Sequence, residues 1–237
     1  MFCGGPIIIC GGDEAGRGAI IGPLVISLVS VKKSSLHLLS EIGVRDSKML
    51  PDERRRALFK EISEIASDVK VAKILPSEIN DAMRNKISLN ELEAVHFARL
   101  FDTIPHDINT VYLDSPDVVA EKFGIRFNMS SAKPTKVDGI KGPAAKGIKC
   151  AKIIAEHKAD SKYAVVSAAS IIAKVTRDNE IKKLERELKM KIGSGYPSDQ
   201  KTVDLIKKNL KNDSLTQHIR ERWYTMERIK QTSLTSF

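Results

Sequence analysis

Short apolar runs rich in Ile and Val recur along the chain, each bounded by glycine, proline or polar residues. This pattern is typical of strands, and it predicts them at residues 6–10, 24–31, 69–75, 110–113 and 148–155. Apolar residues spaced three and four apart instead predict helices at residues 51–66, 77–83, 89–101 and 165–175. Because the two patterns are mixed along the chain, we expect an α/β fold in which helices flank a mixed sheet.

The pattern changes after residue 178. A charged helix to residue 191, the loop GSGYPSD at 193–199, a helix at 200–211 and an amphipathic stretch to residue 230 are predicted there. We therefore place a boundary near residue 180. The expected domains are residues 1–180 and a basic helical extension at residues 181–237.

Positive charge is concentrated in that extension. The chain carries a formal net charge of +9, and residues 181–237 hold 13 basic against 7 acidic side chains. A second basic cluster lies at residues 126–162. Such surfaces attract polyanions, so nucleic acid is the leading partner class. A solvated surface that only improves solubility is the alternative.

Several other classes of protein and site are disfavoured. Apolar runs stay far below the roughly 20 residues needed to span a bilayer, and the first residues lack the pattern of a signal peptide. We therefore expect a cytoplasmic protein with no membrane partner. Cys3, Cys10 and Cys150 lack the paired spacing of a zinc site, and the sequence GDEAGRGAIIGP matches neither a Walker loop nor a dinucleotide fingerprint.

Acidic residues directly follow two of the apolar strands. Asp13 and Glu14 come after IIICGG, and Asp114 comes after TVYL. Carboxylates gathered at buried strand ends repel each other unless a cation joins them, and Mg²⁺ or Mn²⁺ prefers such oxygen ligands. The alternative is that Asp13 caps the next turn and Asp114 caps a helix starting near Pro116. Adjacent residues of a regular strand face opposite ways, so a shared site requires the chain to leave strand geometry.

The same segment carries Gly16, Arg17 and Gly18. Glycines allow backbone amides to approach a ligand closely, and the arginine adds a fixed positive charge. This combination suits contact with a phosphate or a ribose.

Five motifs together resemble a known family: GDEAGRG, RDSK at 45–48, YLDSPD at 112–117, HKADSKYAVVSAASIIAKVTRD at 157–178, and GSGYPSD. The chain is similar to type 2 ribonuclease H, ribonuclease HII, in its archaeal form. The resemblance implies a ribonuclease H-like mixed five-stranded sheet with a helical carboxy-terminal extension. It also implies cleavage of RNA in RNA/DNA hybrids and at ribonucleotides embedded in duplex DNA. A non-catalytic hybrid-binding or architectural module is the alternative.

The resemblance also implies roles for individual residues. The catalytic carboxylates that hold two Mg²⁺ or Mn²⁺ ions are Asp13, Glu14, Asp114 and Asp160. Gly16, Arg17 and Gly18 would read the 2′-hydroxyl at the RNA-to-DNA junction, and Tyr196 would stack on the deoxyribose that follows. In the RDSK turn, formed by Asp46, Ser47 and Lys48, the lysine is a candidate phosphate contact, or else a lysine that only aids solubility. The products would carry 5′-phosphate and 3′-hydroxyl ends.

Two features depart from or add to this pattern. Ala164 stands where the family usually has proline, and the lysine-rich stretch 126–146 is long enough to be an insertion. The chain ends in QTSLTSF, and its Gln231, Leu234 and Phe237 are spaced three apart. This ending resembles the QxxLxxF ligand of sliding clamps, with a frayed terminus as the alternative. We expect a monomer.

Overall fold

The computed structural model describes residues 5–44, 50–137, 140–143, 150–223, 226–227 and 229. The chain divides into two compact units, neither of which is continuous in sequence. Unit 1 contains residues 1–14, 26–72 and 90–175. Unit 2 contains residues 15–25, 73–89 and 176–237.

A single sheet of seven strands has the order β3-β2-β1-β4-β7-β5-β6. The strands are β1 (Ile8–Ala15), β2 (Leu24–Lys32), β3 (Asp68–Ile74), β4 (Thr110–Asp114), β5 (Thr135–Val137), β6 (Ile140–Lys141) and β7 (Ala151–Glu156). The pairs β1–β4, β4–β7 and β5–β7 are parallel, whereas β5–β6 is antiparallel. All five predicted strands are present, which confirms the mixed sheet. The two additional strands, β5 and β6, are only three and two residues long, too short to give a repeating pattern.

Helices account for most of the remaining described residues. They are α1 (Leu36–Glu41), α2 (Asp52–Ile65), α3 (Pro76–Arg84), α4 (Leu89–Asp102), α5 (Ala120–Ser130), α6 (Ala159–Lys162), α7 (Ala164–Leu188), α8 (Gln200–Lys208) and α9 (Asp213–Thr216). A 3₁₀ turn at Lys33–Ser35 precedes α1. The four helices expected before residue 180 are confirmed, while α1, α5 and α6 were not anticipated.

Helix α7 corrects one expectation about the chain after residue 175. It is one helix of 25 residues, whereas the sequence suggested one helix to residue 175 and a second, charged one from about 178. Neither proline nor glycine interrupts this range, so nothing in the backbone ends the helix there. The change from apolar to charged residues marks a change of surroundings and not a helix end.

Each unit has its own apolar core. In unit 1, buried residues of β2, α2 and the first half of α7 pack together, including Val29, Ile62 and Ile172. In unit 2, Ile20 and Ile21 pack with Ile181 and with residues of α8 and the following segment.

Close packing of α7 on the sheet fixes the position of β1. A methyl group added at Gly11 would lie 2.4 Å from the carbonyl carbon of Val165 and 2.6 Å from the backbone nitrogen of Val166. The Ser27 hydroxyl also donates to the Ala169 carbonyl oxygen at 2.6 Å. The small residues of α7 therefore allow it to pack closely against the sheet, and this packing leaves β1 little room to shift.

Candidate active site

Three neighbouring parallel strands of unit 1 end at the same edge of the sheet, and an acidic residue lies at or just beyond each end. Asp13 lies two residues before the end of β1, Asp114 is the last residue of β4, and Asp160 follows β7 in α6. Gly12 is in register with Leu113, and Asp114 is in register with Glu156. Because the carboxyl ends of parallel strands meet at one edge, the fold gathers these acids from three distant parts of the chain.

Asp13 is at the centre of this carboxylate group. Its side chain is only 5% exposed, and its Oδ1 accepts a hydrogen bond from the Glu14 backbone nitrogen at 2.8 Å. Burial, followed by the negative charges of Glu14 and Asp114, raises the pKa of Asp13 well above its usual value, although a hydrogen bond with Ser170 opposes the shift. Asp13, Glu14 and Asp114 therefore lie close enough to influence each other's charge.

Asp114 connects this group to Asp160. Its Oδ1 accepts a hydrogen bond from the Ala159 backbone nitrogen at 2.7 Å, which fixes the residue next to Asp160. Asp160 is 5% exposed, and its Oδ1 accepts from the Ser161 hydroxyl at 3.3 Å. The alternative in which Asp114 caps a helix near Pro116 is wrong, because α5 begins at Ala120 and has no side-chain cap.

The two adjacent acids do not require a break in β1. The strand continues through Asp13 and Glu14 to Ala15, and the chain turns only at Gly16, where φ is +89°. Asp13 is buried, whereas Glu14 is only partly buried, although its Oε2 oxygen is buried. The departure from strand geometry lies after the pair and not between its members.

The residues at this edge fit a hard divalent cation by their chemistry. In the described part of the chain, no three His, Cys, Asp or Glu side chains stand close enough to hold a metal ion as they are placed. Carboxylates carry like charges and repel one another. A shared site is therefore supported by the strand register at this edge and not by the distances between these side chains. Carboxylate oxygens are the ligands that Mg²⁺ and Mn²⁺ favour, and a cation would offset the repulsion that raises the pKa of Asp13.

Unit 2 brings together two further predicted site segments. The carbonyl oxygen of Gly195 accepts hydrogen bonds from the backbone nitrogens of Ile20 at 2.8 Å and Ile21 at 3.2 Å. A methyl group added at Gly18 would lie 3.9 Å from the Tyr196 ring. The glycine-arginine loop 16–18 and the tyrosine loop 193–199 therefore form one surface, although about 175 residues separate them in the sequence.

Two buried arginines hold these loops, and sequence reasoning missed both. Arg220 is 0% exposed and donates from Nη1 to the Arg17 carbonyl oxygen at 2.9 Å and from Nη2 to the Gly22 carbonyl oxygen at 3.0 Å. Arg177 is 1% exposed and lies beneath the Tyr196 ring. One signal pointed to Arg177: it is four residues from Ala173 and from Ile181 along one helix face, and both of those are buried.

Part of the basic cluster at 126–162 is engaged within the protein. Arg126 pairs with Asp117 and, at 2.9 Å, with Glu91. Lys162 pairs with Glu156 at 2.5 Å. The Lys133 ammonium lies 5.4 Å from the Phe101 ring centre. These three cations support local structure, so the expectation that the whole cluster binds phosphates now depends on its other lysines.

Two groups of predicted site residues lie outside the described part of the chain. They are the RDSK residues Asp46, Ser47 and Lys48, and the tail residues Gln231, Leu234 and Phe237. Their predicted roles stay predictions.

Helices in the described ranges include none that is long and apolar enough to cross a membrane.

Comparison with known proteins identifies relatives along almost the whole chain. Residues 10–226 match the family model described as Ribonuclease HII. The sequence is 40% identical to Ribonuclease HII of Pyrococcus furiosus over 229 residues, covering 94% of this chain and 92% of that protein. It is 38% identical to Ribonuclease HII of Pyrococcus abyssi over 224 residues, covering 94% and 91%.

Two solved structures share the fold. The crystal structure of the ribonuclease H2 from Pyrococcus horikoshii OT3 matches with a TM-score of 0.80 and 35% identity, covering 97% of this chain and 100% of that one. The structure of the PCNA:RNase HII complex from Archaeoglobus fulgidus matches with a TM-score of 0.76 and 34% identity, covering 92% and 95%. These likenesses confirm the ribonuclease H-like fold.

Proposed function

The chain belongs to the ribonuclease HII family, and we propose that it cleaves its substrate at the acidic edge formed by β1, β4 and β7. It is a metal-dependent endoribonuclease that acts on RNA/DNA hybrids. The observations that support the site assignment are the strand register, which brings the ends of β1, β4 and β7 to one edge, and the hydrogen bond from the Ala159 backbone nitrogen to Asp114, next to Asp160. The proposed metal ligands and catalytic residues are Asp13, Glu14, Asp114 and Asp160.

The acids themselves argue for catalysis and against a purely binding role. A protein that only binds nucleic acid gains nothing from buried negative charge beside a phosphate, whereas a metal-dependent nuclease requires it. When bound, two Mg²⁺ or Mn²⁺ ions would activate water and neutralise charge on the scissile phosphate and the leaving 3′ oxygen. The four carboxylates would fix the ions' place at the strand ends, and the expected products have 5′-phosphate and 3′-hydroxyl ends.

Unit 2 would supply recognition of the RNA-to-DNA junction. Gly16 and Gly18 present backbone groups without a side chain in the way, and the 2′-hydroxyl is the group that distinguishes RNA from DNA. Tyr196 would stack on the following deoxyribose. The hydrogen bonds from Ile20 and Ile21 to Gly195 support a joint role, because they fix the two loops relative to each other within this unit. Lys48 is proposed to contact a backbone phosphate.

We also propose that residues 1–180, which include the acidic edge and the glycine-arginine loop, form the catalytic region, and that the basic extension at 181–237 holds the duplex through its phosphates. Affinity for the duplex should then fall steeply with rising salt, because cations that bind phosphates release counterions.

One experiment tests the reaction and the junction reading together. The protein is incubated with a DNA duplex that contains one ribonucleotide, an all-DNA duplex and a uniform RNA/DNA hybrid, each with Mg²⁺, Mn²⁺ or a chelator. We expect incision on the 5′ side of the single ribonucleotide, no cleavage of all-DNA, and no cleavage in chelator. Binding without incision in either metal would favour the architectural module instead.

The tail is proposed to bind a sliding clamp. A structural relative has been solved in complex with PCNA, and this chain ends in QTSLTSF. Deleting residues 231–237 should abolish clamp binding, measured by calorimetry with the purified clamp, and leave cleavage of short duplexes unchanged. Loss of both activities would show that the tail belongs to the fold.

We propose that the enzyme acts as a monomer, which sedimentation can test.

A further inference from the structure

The guanidinium of Arg177 lies between the two loops that are proposed to read the junction. Its central carbon is 4.4 Å from the centre of the Tyr196 ring, and its Nη2 donates to the Ser194 carbonyl oxygen at 2.6 Å. A methyl group added at Gly16 would lie 2.7 Å from its Nε. One side chain thus touches the glycine-arginine loop, the tyrosine loop and the tyrosine ring.

Burying this cation is costly in ways that a purely packing role would avoid. The side chain is 1% exposed, burial lowers the pKa of its guanidinium, and its buried Nε makes no hydrogen bond with the residues that the structure describes. A carboxylate oxygen of Asp178 lies 3.8 Å from Nη1. An apolar side chain of similar size would fill the space without desolvating a charge. The main compensation is electrostatic, from the Ser194 carbonyl oxygen and the face of the tyrosine ring.

We propose that Arg177 is a positioning residue that holds the Tyr196 ring beside Gly16–Gly18, and that it thereby sets the preference for an RNA-to-DNA junction over continuous RNA. This rests on the proposed role of Tyr196. A planar guanidinium both fixes the height of the ring by stacking and fixes the loop backbone through Ser194. In a variant without this guanidinium, the Tyr196 ring would lose the stacking contact that holds its position.

The test compares kcat/KM for two substrates: a DNA duplex with one ribonucleotide, and a uniform RNA/DNA hybrid. Their ratio measures junction preference, whereas a general loss of folded or active protein lowers both values and leaves the ratio unchanged. Arg177→Met removes the charge and keeps much of the length, and Arg177→Lys keeps the charge without the planar fork. Arg99→Met is the matched control, because Arg99 is an exposed arginine of another helix, α4, and lies outside the basic regions that are proposed to bind the duplex.

We expect Arg177→Met to lower the ratio by about 3- to 30-fold, the range of a desolvated cation–π contact. Arg177→Lys should lower it less, and Arg99→Met should leave it at the wild-type value. In a double-mutant cycle, Arg177→Met should change the ratio little further once Tyr196 has been replaced by Ala, because the two residues then act as one unit.

The remaining outcomes distinguish a wrong role for Arg177 from a wrong role for Tyr196. An unchanged ratio in folded Arg177→Met and Arg177→Lys, or independent effects that multiply in the cycle, would overturn the proposal. So would failure of both variants to fold, since Arg177 would then be structural. If Tyr196→Ala itself leaves the ratio unchanged, the proposed role of Tyr196 is what fails, while the role of the carboxylates is unaffected.

Discussion

The acidic edge of unit 1 and the loop surface of unit 2 bury charge in opposite ways. At the acidic edge, burial and then the charges of neighbouring carboxylates raise the pKa of Asp13. In unit 2, Arg220 is buried against backbone carbonyl oxygens, and it bonds to those of Arg17 and Gly22. The carboxylates at the acidic edge repel one another, whereas the positive charge of Arg220 is compensated by carbonyl oxygens within the protein.

This difference indicates what each region is built to do. Repulsion among buried carboxylates is relieved by an added cation, so the acidic edge is suited to binding metal and performing hydrolysis. Charge that is already satisfied by carbonyl oxygens instead fixes the loop backbone. A fixed loop surface is suited to discriminating between sugars. The predictions below test the two regions separately.

Asp13→Asn should have the largest effect. We expect cleavage in Mg²⁺ to fall by about three powers of ten or more, because a metal ligand contributes several kcal/mol to catalysis. In the absence of metal, the same change should raise the melting temperature, since it removes one of the mutually repelling charges. Asp107→Asn is the control, because Asp107 is an exposed residue of the same unit. Retained cleavage in Asp13→Asn would remove Asp13 from the catalytic group.

Gly11→Ala tests the support beneath the acidic edge. The added methyl group would meet backbone atoms of Val165 and Val166 at 2.4 to 2.6 Å, and backbone cannot rotate aside. We expect a loss of about 2 to 3 kcal/mol in the free energy of unfolding, measured by chemical denaturation. Gly5→Ala should have little effect, because nothing lies within 4 Å of a methyl group there. Equal stability of the two variants would show that β1 can move away from α7.

Much of the fold could be predicted from the sequence, because burial leaves a pattern. The strands at 24–32 and 110–114 and the helix at 89–102 were expected within a residue or two, since their apolar residues alternate or recur with the helix period. The short strands β5 and β6 lack enough residues for a pattern. Helix α6 has only four residues, so nothing local distinguishes it from a turn.

The site was predictable only in part. Asp13 and Asp114 could be found because they directly follow apolar strands. Asp160 could not, because it follows a polar segment, and only family resemblance pointed to it. Arg177 and Arg220 were missed because arginine side chains are usually solvated. Their contacts with Tyr196 and Arg17 depend on tertiary packing that no local pattern encodes.

The two glycines of the glycine-arginine loop, Gly16 and Gly18, should respond differently to substitution by alanine. At Gly18 the added methyl group would make only an ordinary contact, 3.9 Å from the Tyr196 ring, so stability should be unchanged. Cleavage at a single ribonucleotide should still fall by roughly 5- to 30-fold, equivalent to about 1 to 2 kcal/mol, if the substrate approaches this backbone.

Gly16→Ala is the matched comparison. There φ is +89° and the methyl group would lie 2.9 Å from the Pro23 carbonyl oxygen, so stability should fall by about 1 to 3 kcal/mol along with activity. Thermal melts beside cleavage rates measure both effects. Undiminished cleavage by Gly18→Ala would mean that the substrate does not approach this part of the loop.

We expect Asp199→Ala to have the smallest effect of these changes. It should affect the loop surface of unit 2 without changing the metal dependence that belongs to unit 1. The Asp199 carboxylate caps α8 by accepting from the Lys201 backbone nitrogen at 3.0 Å, and it accepts from the Ser194 backbone nitrogen at 2.6 Å. Losing the cap should cost about 1 kcal/mol of stability at pH 7. Because these hydrogen bonds hold the pKa of Asp199 below its ordinary value of 3.8, their contribution is present above that value and disappears as the pH falls through the lowered pKa.

The wild-type and Asp199→Ala proteins should therefore converge in stability in acid, a trend measurable by denaturation at several pH values. Junction preference should fall slightly in the variant, because the Tyr196 loop loses a restraint, whereas metal dependence should not change. A change in metal dependence would contradict the separation of roles, since Asp199 belongs to unit 2 and the proposed ligands belong to unit 1.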